Sequence, residues 1–245
     1  DPETAAAFSF RYGVEPAGNV RSNPQGEFPR KNVLFVAHTL EETARRLQTT
    51  PDALRGKLDD ARRRLFEARA RRPRPHLDDK TITAWNGLMI SAFARAAQVL
   101  GDDRYLAAAE AAAGFVHARL YDPSRGVLLR RYRAGEAAID GYADDYAFLI
   151  RGLLDLYEAS FQVDHLTWAR TLQEKQDAVF WDADVGGYFG TAGTDASVLL
   201  RVKEDYDGAE PSANSVSALN LLRLAQMTDR PEYRAKAEQT LAAFA

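Results

Sequence analysis

At 245 residues the chain is long enough to bury a substantial core, as one large domain or two small ones. A formal net charge of −3 and a pI near 5.9 give no electrostatic reason to expect nucleic acid as a partner. The absence of cysteine excludes disulfide scaffolds, thiol chemistry and Cys-ligated metals within this chain. No apolar run resembles a membrane span and no signal peptide is visible, so a cytoplasmic, membrane-free setting is expected. The chain lacks an initiator Met and stops inside a helical pattern at Leu241–Ala245, which reads as a piece of something longer.

Asp1 to Tyr12 is a predicted helix, with Pro2 in its first turn and Gly13 ending it. The Gly-, Pro-, Asn- and Ser-rich stretch to Arg30 reads as loop, and Val33–Val36 as a short strand. Thr39 and Glu42 form the pattern of a capping box for a short helix through Leu47. Thr50-Pro51-Asp52 starts another helix, expected to run to about Arg72, where Pro73 and Pro75 stop it. Leu54, Leu58, Ala61, Leu65, Phe66 and Ala68 share one face of it, as in an amphipathic outer helix. Its arginines, Arg62 to Arg64 and then Arg69, Arg71, Arg72 and Arg74, read as a solvated face, with an anion or partner patch as the alternative.

From Asp78 the chain repeats. Gly87-Leu88-Met89, Gly152-Leu153-Leu154 and Ala218-Leu219-Asn220 follow one another at 65 and 66 residues. Each lies in a helix whose apolar residues nearly encircle it, the mark of a helix enclosed by others. A short polar turn and an amphipathic helix follow each one, as in an antiparallel hairpin. Tyr121-Asp122 with Gly126 and Trp181-Asp182 with Gly186 then lead into short β-like runs at Val127–Leu129 and Tyr188–Phe189. Such units must stack to bury a continuous core, and two helical layers with long return loops fit a ring of αα-hairpins. Six hairpins at this period need roughly 360 to 400 residues and this chain holds about four, so either the ring is incomplete here or the missing hairpins belong to sequence outside this chain. The expected organisation is a single all-α, α/α-barrel domain fragment. Residues 1–76 form an irregular lead-in plus an outer helix, and 77–137, 138–202 and 203–245 form successive hairpins.

Three long motifs carry a family resemblance. His76-Leu77-Asp78-Asp79-Lys80 with Trp85–Met89 is the first, Asp144–Leu149 with Gly152–Ala159 the second, and Glu204–Ser212 with Asn214-Ser215-Val216 the third. Together with Tyr12-Gly13-Val14, Gly18-Asn19-Val20 and Asn32-Val33-Leu34, they make nearly the whole chain resemble the spermatogenesis-associated thioredoxin-domain family. The resemblance implies a thioredoxin-like domain followed by an (α/α)₆ toroid of the six-hairpin glycosidase type, with this chain part of the toroid. Such barrels include glycoside hydrolases, unsaturated-uronide hydrolases and N-acylglucosamine 2-epimerases, and fold alone does not decide among them.

Asp78/Asp79, Asp144/Asp145 and Glu204/Asp205/Asp207 all precede inner helices and should converge on one rim of the cavity. Helix capping explains one acid per helix, but not doubled acids beside Trp85, Asn86, Tyr146 and Tyr206. Paired carboxylates beside aromatics suit sugar chemistry, with one acid protonating a leaving oxygen, a second acting as base or nucleophile, and aromatic faces stacking on the ring. Crowded acids also raise one another's pKa. Asp78, Asp79, Asp144, Asp145, Asp205 and Asp207 are therefore the catalytic candidates. His76, Trp85, Asn86, Tyr146, Glu204, Tyr206, Glu210 and Asn214 are the ligand-binding candidates. Clustered carboxylates would also suit a hard cation, but neither segment has a calcium-loop pattern, and no metal or cofactor is expected. The leading reading is a carbohydrate-active domain taking a small, sugar-like ligand. A non-catalytic scaffold or substrate-recognition module for the thioredoxin-like domain is the alternative. A sugar 2-epimerase is the second, disfavoured because a two-His mechanism finds only His76 well placed.

Overall fold

Where a proline follows a capping side chain, a helix starts. Residues 1–22, 26–194 and 198–245 are described by the computed structural model, and they divide into two units, Asp1–Leu77 and Asp78–Ala245. In the first unit, α1 (Pro2–Arg11) is capped by Asp1, whose carboxylate accepts from the Thr4 N–H at 2.8 Å. The short α2 (Leu40–Arg46) has the full capping box. Thr39 accepts from the Glu42 N–H, and Glu42 accepts from the Thr39 N–H. Thr50 caps α3 (Pro51–Ala70), close to the expected bounds.

A small core of Ala7, Ala44, Leu54 and Leu58 holds these three helices together. It covers only the first half of the α3 stripe, so Leu65 and Phe66 are exposed. Val33–Val36 is not a strand. The segment is extended and half-exposed, and it has no neighbouring strand to pair with among the described residues. The Asn19 side chain takes the place of one, donating to the Val33 carbonyl and accepting from the Val33 N–H.

Among the described residues the second unit contains three αα-hairpins. The inner helices are α4 (Thr83–Leu100), α6 (Ala143–Ser160) and α8 (Ala213–Thr228). Each is followed by its outer partner, α5 (Asp103–Arg119), α7 (Val163–Phe180) and α9 (Pro231–Ala242) respectively. The inner helices stand side by side in the order α4, α6, α8. A small antiparallel sheet lies between the first two hairpins. In it β3 (Val127–Arg133) pairs with β1 (Thr81–Ile82), β2 (Tyr121–Asp122) and β4 (Glu136–Asp140). Ala134-Gly135, both at positive φ, make the two-residue turn that a tight β3–β4 hairpin requires.

The repeated glycines explain how the inner layer packs. A Cβ on Gly87 would lie 2.4 Å from the Phe148 carbonyl carbon, and one on Gly152 would lie 2.5 Å from the Gly87 carbonyl oxygen. Backbone therefore meets backbone between α4 and α6. Only α6 is enclosed on nearly all sides, because it has an inner neighbour on each flank. On α4 and α8 one flank stays open, leaving Trp85, Met89, Leu219 and Leu222 partly exposed. The Asp-to-Gly turns after the outer helices share one construction. Asp122 accepts from the N–H groups of Ser124 and Arg125, and Asp182 from those of Asp184 and Val185.

Candidate functional site

The N-terminal ends of α4 and α6 are tied together by one buried carboxylate. Helix α4 begins without a capping side chain of its own. Asp145, three residues into α6, supplies the missing acceptor: its Oδ1 takes the Ala84 N–H at 2.9 Å while its Oδ2 takes the Tyr142 N–H at 2.9 Å. Arg130, projecting from β3, donates through one nitrogen to Asp145 at 2.9 Å and to Asp144 at 3.0 Å. Its guanidinium also lies 4.5 Å from the centre of the Tyr142 ring. Burial, reinforced by the Asp144 charge, pushes the Asp145 carboxyl up to about 6, against the pull of Arg130 and the two backbone donors. Burial works against the Arg130 charge, but the two carboxylates outweigh it and raise its pKa. A guanidinium thus occupies the position between the Asp144 and Asp145 carboxylates where a cation would sit.

Around this knot the sequence candidates separate into three groups. Asp145, Tyr146 and Asn214 are buried. The Tyr146 hydroxyl accepts from the Leu128 N–H at 2.9 Å, and burial pushes its pKa up to about 12. Asn214 accepts from the Tyr188 N–H and donates to the carbonyls of Tyr188 and Glu204, holding the return loop against α8.

The second group is engaged but reachable. Asp144 is partly exposed beside Arg130. Asp79 meets Arg133 at 2.6 Å, and Asp78 meets Lys80 at 3.2 Å, an ion pair that lowers the Asp78 pKa. Asp207 accepts from the Ser212 N–H and the Ser215 hydroxyl, which lower its pKa and fix the start of α8. Asn86 donates to the Ile82 carbonyl. The Trp85 indole N–H donates to Glu210 at 2.8 Å, joining the first turn of α4 to the loop before α8 while 56 % of the residue stays exposed.

Glu204, Asp205 and Tyr206 make up the third group, on the open loop, and among the described residues their side chains make no hydrogen bond or ion pair, although the Glu204 carbonyl accepts from Asn214. Asp205 lines a cavity of about 190 Å³ with Ser212, Asn214, Ser215 and Thr240. His76 is exposed and belongs to the first unit.

Trp85, Glu210, Asp144, Tyr142 and Arg130 are therefore the side chains this end of the inner helices presents. Sequence reasoning missed Tyr142 and Arg130. A signal for Arg130 existed: strand alternation puts it on the same face as buried Leu128, pointing inward and not to solvent. A second buried carboxylate, Asp155 in the middle of α6, was also missed. It accepts from Ser91 and Arg95 of α4 and pairs with Arg223 of α8, so it ties the three inner helices together.

No family model matches the chain. Spermatogenesis-associated protein 20 from Homo sapiens is 45% identical over 244 residues, which is 95% of this chain and 31% of that protein. The chain thus spans about a third of the length of the curated relatives it matches. Among solved structures, cellobiose 2-epimerase from Spirochaeta thermophila aligns with a TM-score of 0.55 at 20% identity, covering 67% of this chain and 43% of that one. A GH76 α-mannanase from Bacteroides thetaiotaomicron aligns with a TM-score of 0.54 at 15% identity, covering 82% and 53%. At such identities the likeness carries the fold, a helical toroid of paired inner and outer helices, and not the substrate. With three motifs in order and 45% identity along almost its whole length, the chain is homologous to a segment of spermatogenesis-associated protein 20.

Proposed function

We propose that this chain binds a sugar-like ligand at the end of the inner helices where Trp85, Glu210 and Asp144 are presented. The observation that carries this reading is the indole of Trp85. It is fixed through its N–H by the Glu210 carboxylate, yet more than half of the residue stays exposed. A held aromatic plane with an acid at its edge suits a ring whose faces are apolar and whose rim is hydroxylated. The solved structures of similar fold named above are enzymes of sugars, which supports the same ligand class.

Within this reading, glycoside-hydrolase-like chemistry would use Asp144, held by Arg130, and Glu210, held by the Trp85 indole. Asp78, Asp79, Asp205 and Asp207 stand further along the loops and would order the ligand. A binding module without turnover is the second reading. It is favoured by the engagement of Asp145 and Asp207 in capping and of Asp144 with Arg130. In that case the chain would serve as the recognition part for a thioredoxin-like domain in the longer protein. Epimerase-like chemistry through two histidines has little support, since His117 is on an outer helix and His165 on the next one.

Calorimetric titration of the chain with a panel of neutral mono- and disaccharides and uronides tests the proposal, with Trp85→Ala, Asp144→Asn and Glu210→Gln in parallel. Binding that weakens at least about tenfold in Trp85→Ala is expected. Loss of turnover in Asp144→Asn or Glu210→Gln with binding retained selects hydrolysis, and binding without turnover selects the module. If no sugar binds, or Trp85→Ala binds as well as the parent, the proposal fails.

A further inference from the structure

Helix α3 changes character along its length. In its first part Arg55, Arg62 and Arg63 each pair with an Asp three residues earlier, namely Asp52, Asp59 and Asp60. Beyond Arg63 the pairing stops. Arg69, Arg71, Arg72 and Arg74 are all exposed, and none has an ion-pair partner among the described residues. No acidic residue occurs between Glu67 and Asp78 to neutralise them. The first unit holds fifteen Lys and Arg against ten Asp and Glu, a net charge of +5 in a chain whose total is −3.

These unpaired guanidinium groups surround a concavity of about 620 Å³. Its lining includes Arg69, Arg72, Arg74 and His76 together with Phe66 and Leu77. Phe66 is 69% and Leu77 74% exposed, so apolar surface alternates with positive charge. Favourable interaction with the helix C-terminus accounts for a cation at Arg69 or Arg71, but Arg72 and Arg74 lie beyond the helix end. Pro73 and Pro75 fix φ on either side of Arg74, which lowers the entropy cost of holding those side chains for a ligand.

We propose that this cleft is a docking site for an acidic peptide segment carrying an aromatic or large aliphatic side chain. Carboxylates would pair with the Arg72 and Arg74 forks, and the apolar side chain would cover Phe66 and Leu77. A phosphodiester backbone fits less well, because it has no use for the apolar lining of Phe66 and Leu77.

The test is fluorescence anisotropy of the whole chain with a short fluorescein-labelled peptide of alternating Glu and Phe. A Lys/Phe peptide, a Glu/Gly peptide, heparin and single-stranded DNA serve as competitors. The Glu/Phe peptide should bind with an affinity that falls as salt rises. It should be displaced poorly by the other four and weaken at least about tenfold in Arg72→Glu/Arg74→Glu. Both positions are exposed outside the helix, and circular dichroism of the variant should match the parent. No binding at low salt, unchanged binding in the variant, or tighter binding of heparin or DNA than of the peptide overturns the proposal. Equal binding of the Glu/Gly peptide removes the apolar half of it.

Discussion

Replacing Gly87 with alanine probes the closest contact in the inner layer. The added methyl would meet the Phe148 carbonyl carbon at 2.4 Å, the Leu149 nitrogen at 2.5 Å and the Phe148 oxygen at 2.6 Å, whereas ordinary contact begins at 3.4 Å. All three are backbone atoms of a buried helix, so no side chain can swing aside. Helices α4 and α6 must separate by about 1 Å along their seam, which loosens dispersion contacts well beyond the substituted site. Overpacking costs about 1–3 kcal/mol, and contact with rigid backbone puts this case at the upper end, from which the roughly 1 kcal/mol that alanine gains over glycine within a helix is subtracted. A net loss of about 2 kcal/mol should lower Tm by about 4–8 °C in a chain of this size. Gly114 in α5 supplies the control, because a Cβ there has nothing within 4 Å. Gly114→Ala should raise stability by about 0.5–1 kcal/mol. The assay is thermal and urea unfolding followed by circular dichroism, with both variants beside the parent. A Gly87→Ala protein as stable as the parent, or two variants shifting in the same direction, would refute the close-packed inner seam.

Protonation of Asp145 should make stability depend on pH. Its pKa is about 6 in the folded protein against 3.8 for a free carboxyl, so the folded state holds the proton more tightly. That contribution is fully present below about pH 4 and is lost as pH rises through about 6. In Asp145→Asn this component should vanish from a urea-midpoint series across pH 4–7. The same variant should lose about 1–3 kcal/mol at pH 7, since its NH2 group replaces one of the two oxygens that separately accept from the Ala84 and Tyr142 N–H groups. Asp155→Ala should cost about 3 kcal/mol in urea unfolding, because it removes a fully buried partner from Arg223 and Arg95. Tyr188→Phe should cost about 1–2 kcal/mol by the same assay, since it removes the hydroxyl that Asp177 accepts from at 2.6 Å beside Lys236.

The architecture was legible because its causes are local or periodic. Thr39 with Glu42 and Thr50 with Pro51 mark helix starts within four residues, and Gly87 and Gly152 recur one repeat apart because each faces the backbone of the other's helix, Gly87 at Phe148-Leu149 and Gly152 at Gly87 itself. The acidic doublets at the helix starts were legible too, but their division of labour was not. Asp144 and Asp145 are adjacent in sequence and differ in what they meet. The donor that completes Asp145 is Ala84, 61 positions earlier, and Trp85 finds Glu210 at a separation of 125. Pairings over such distances leave no trace in periodicity or composition. Val33–Val36 shows the converse limit. Its β-branched and aromatic residues read as strand, but a strand exists only where another pairs with it, and here an asparagine side chain fills that role.

The carboxylate shared between two helix starts has a consequence for how the hairpins come together. Until α6 is docked, the first turn of α4 has no protein acceptor for its Ala84 amide, so the start of the first hairpin is fixed only once the second arrives. Neighbouring repeats are then not independent beads but share a terminus, which strengthens coupling at that boundary relative to stacking alone. Local opening of α6 should release the start of α4 with it, and amide exchange at Ala84 would follow the second hairpin's clock in place of its own.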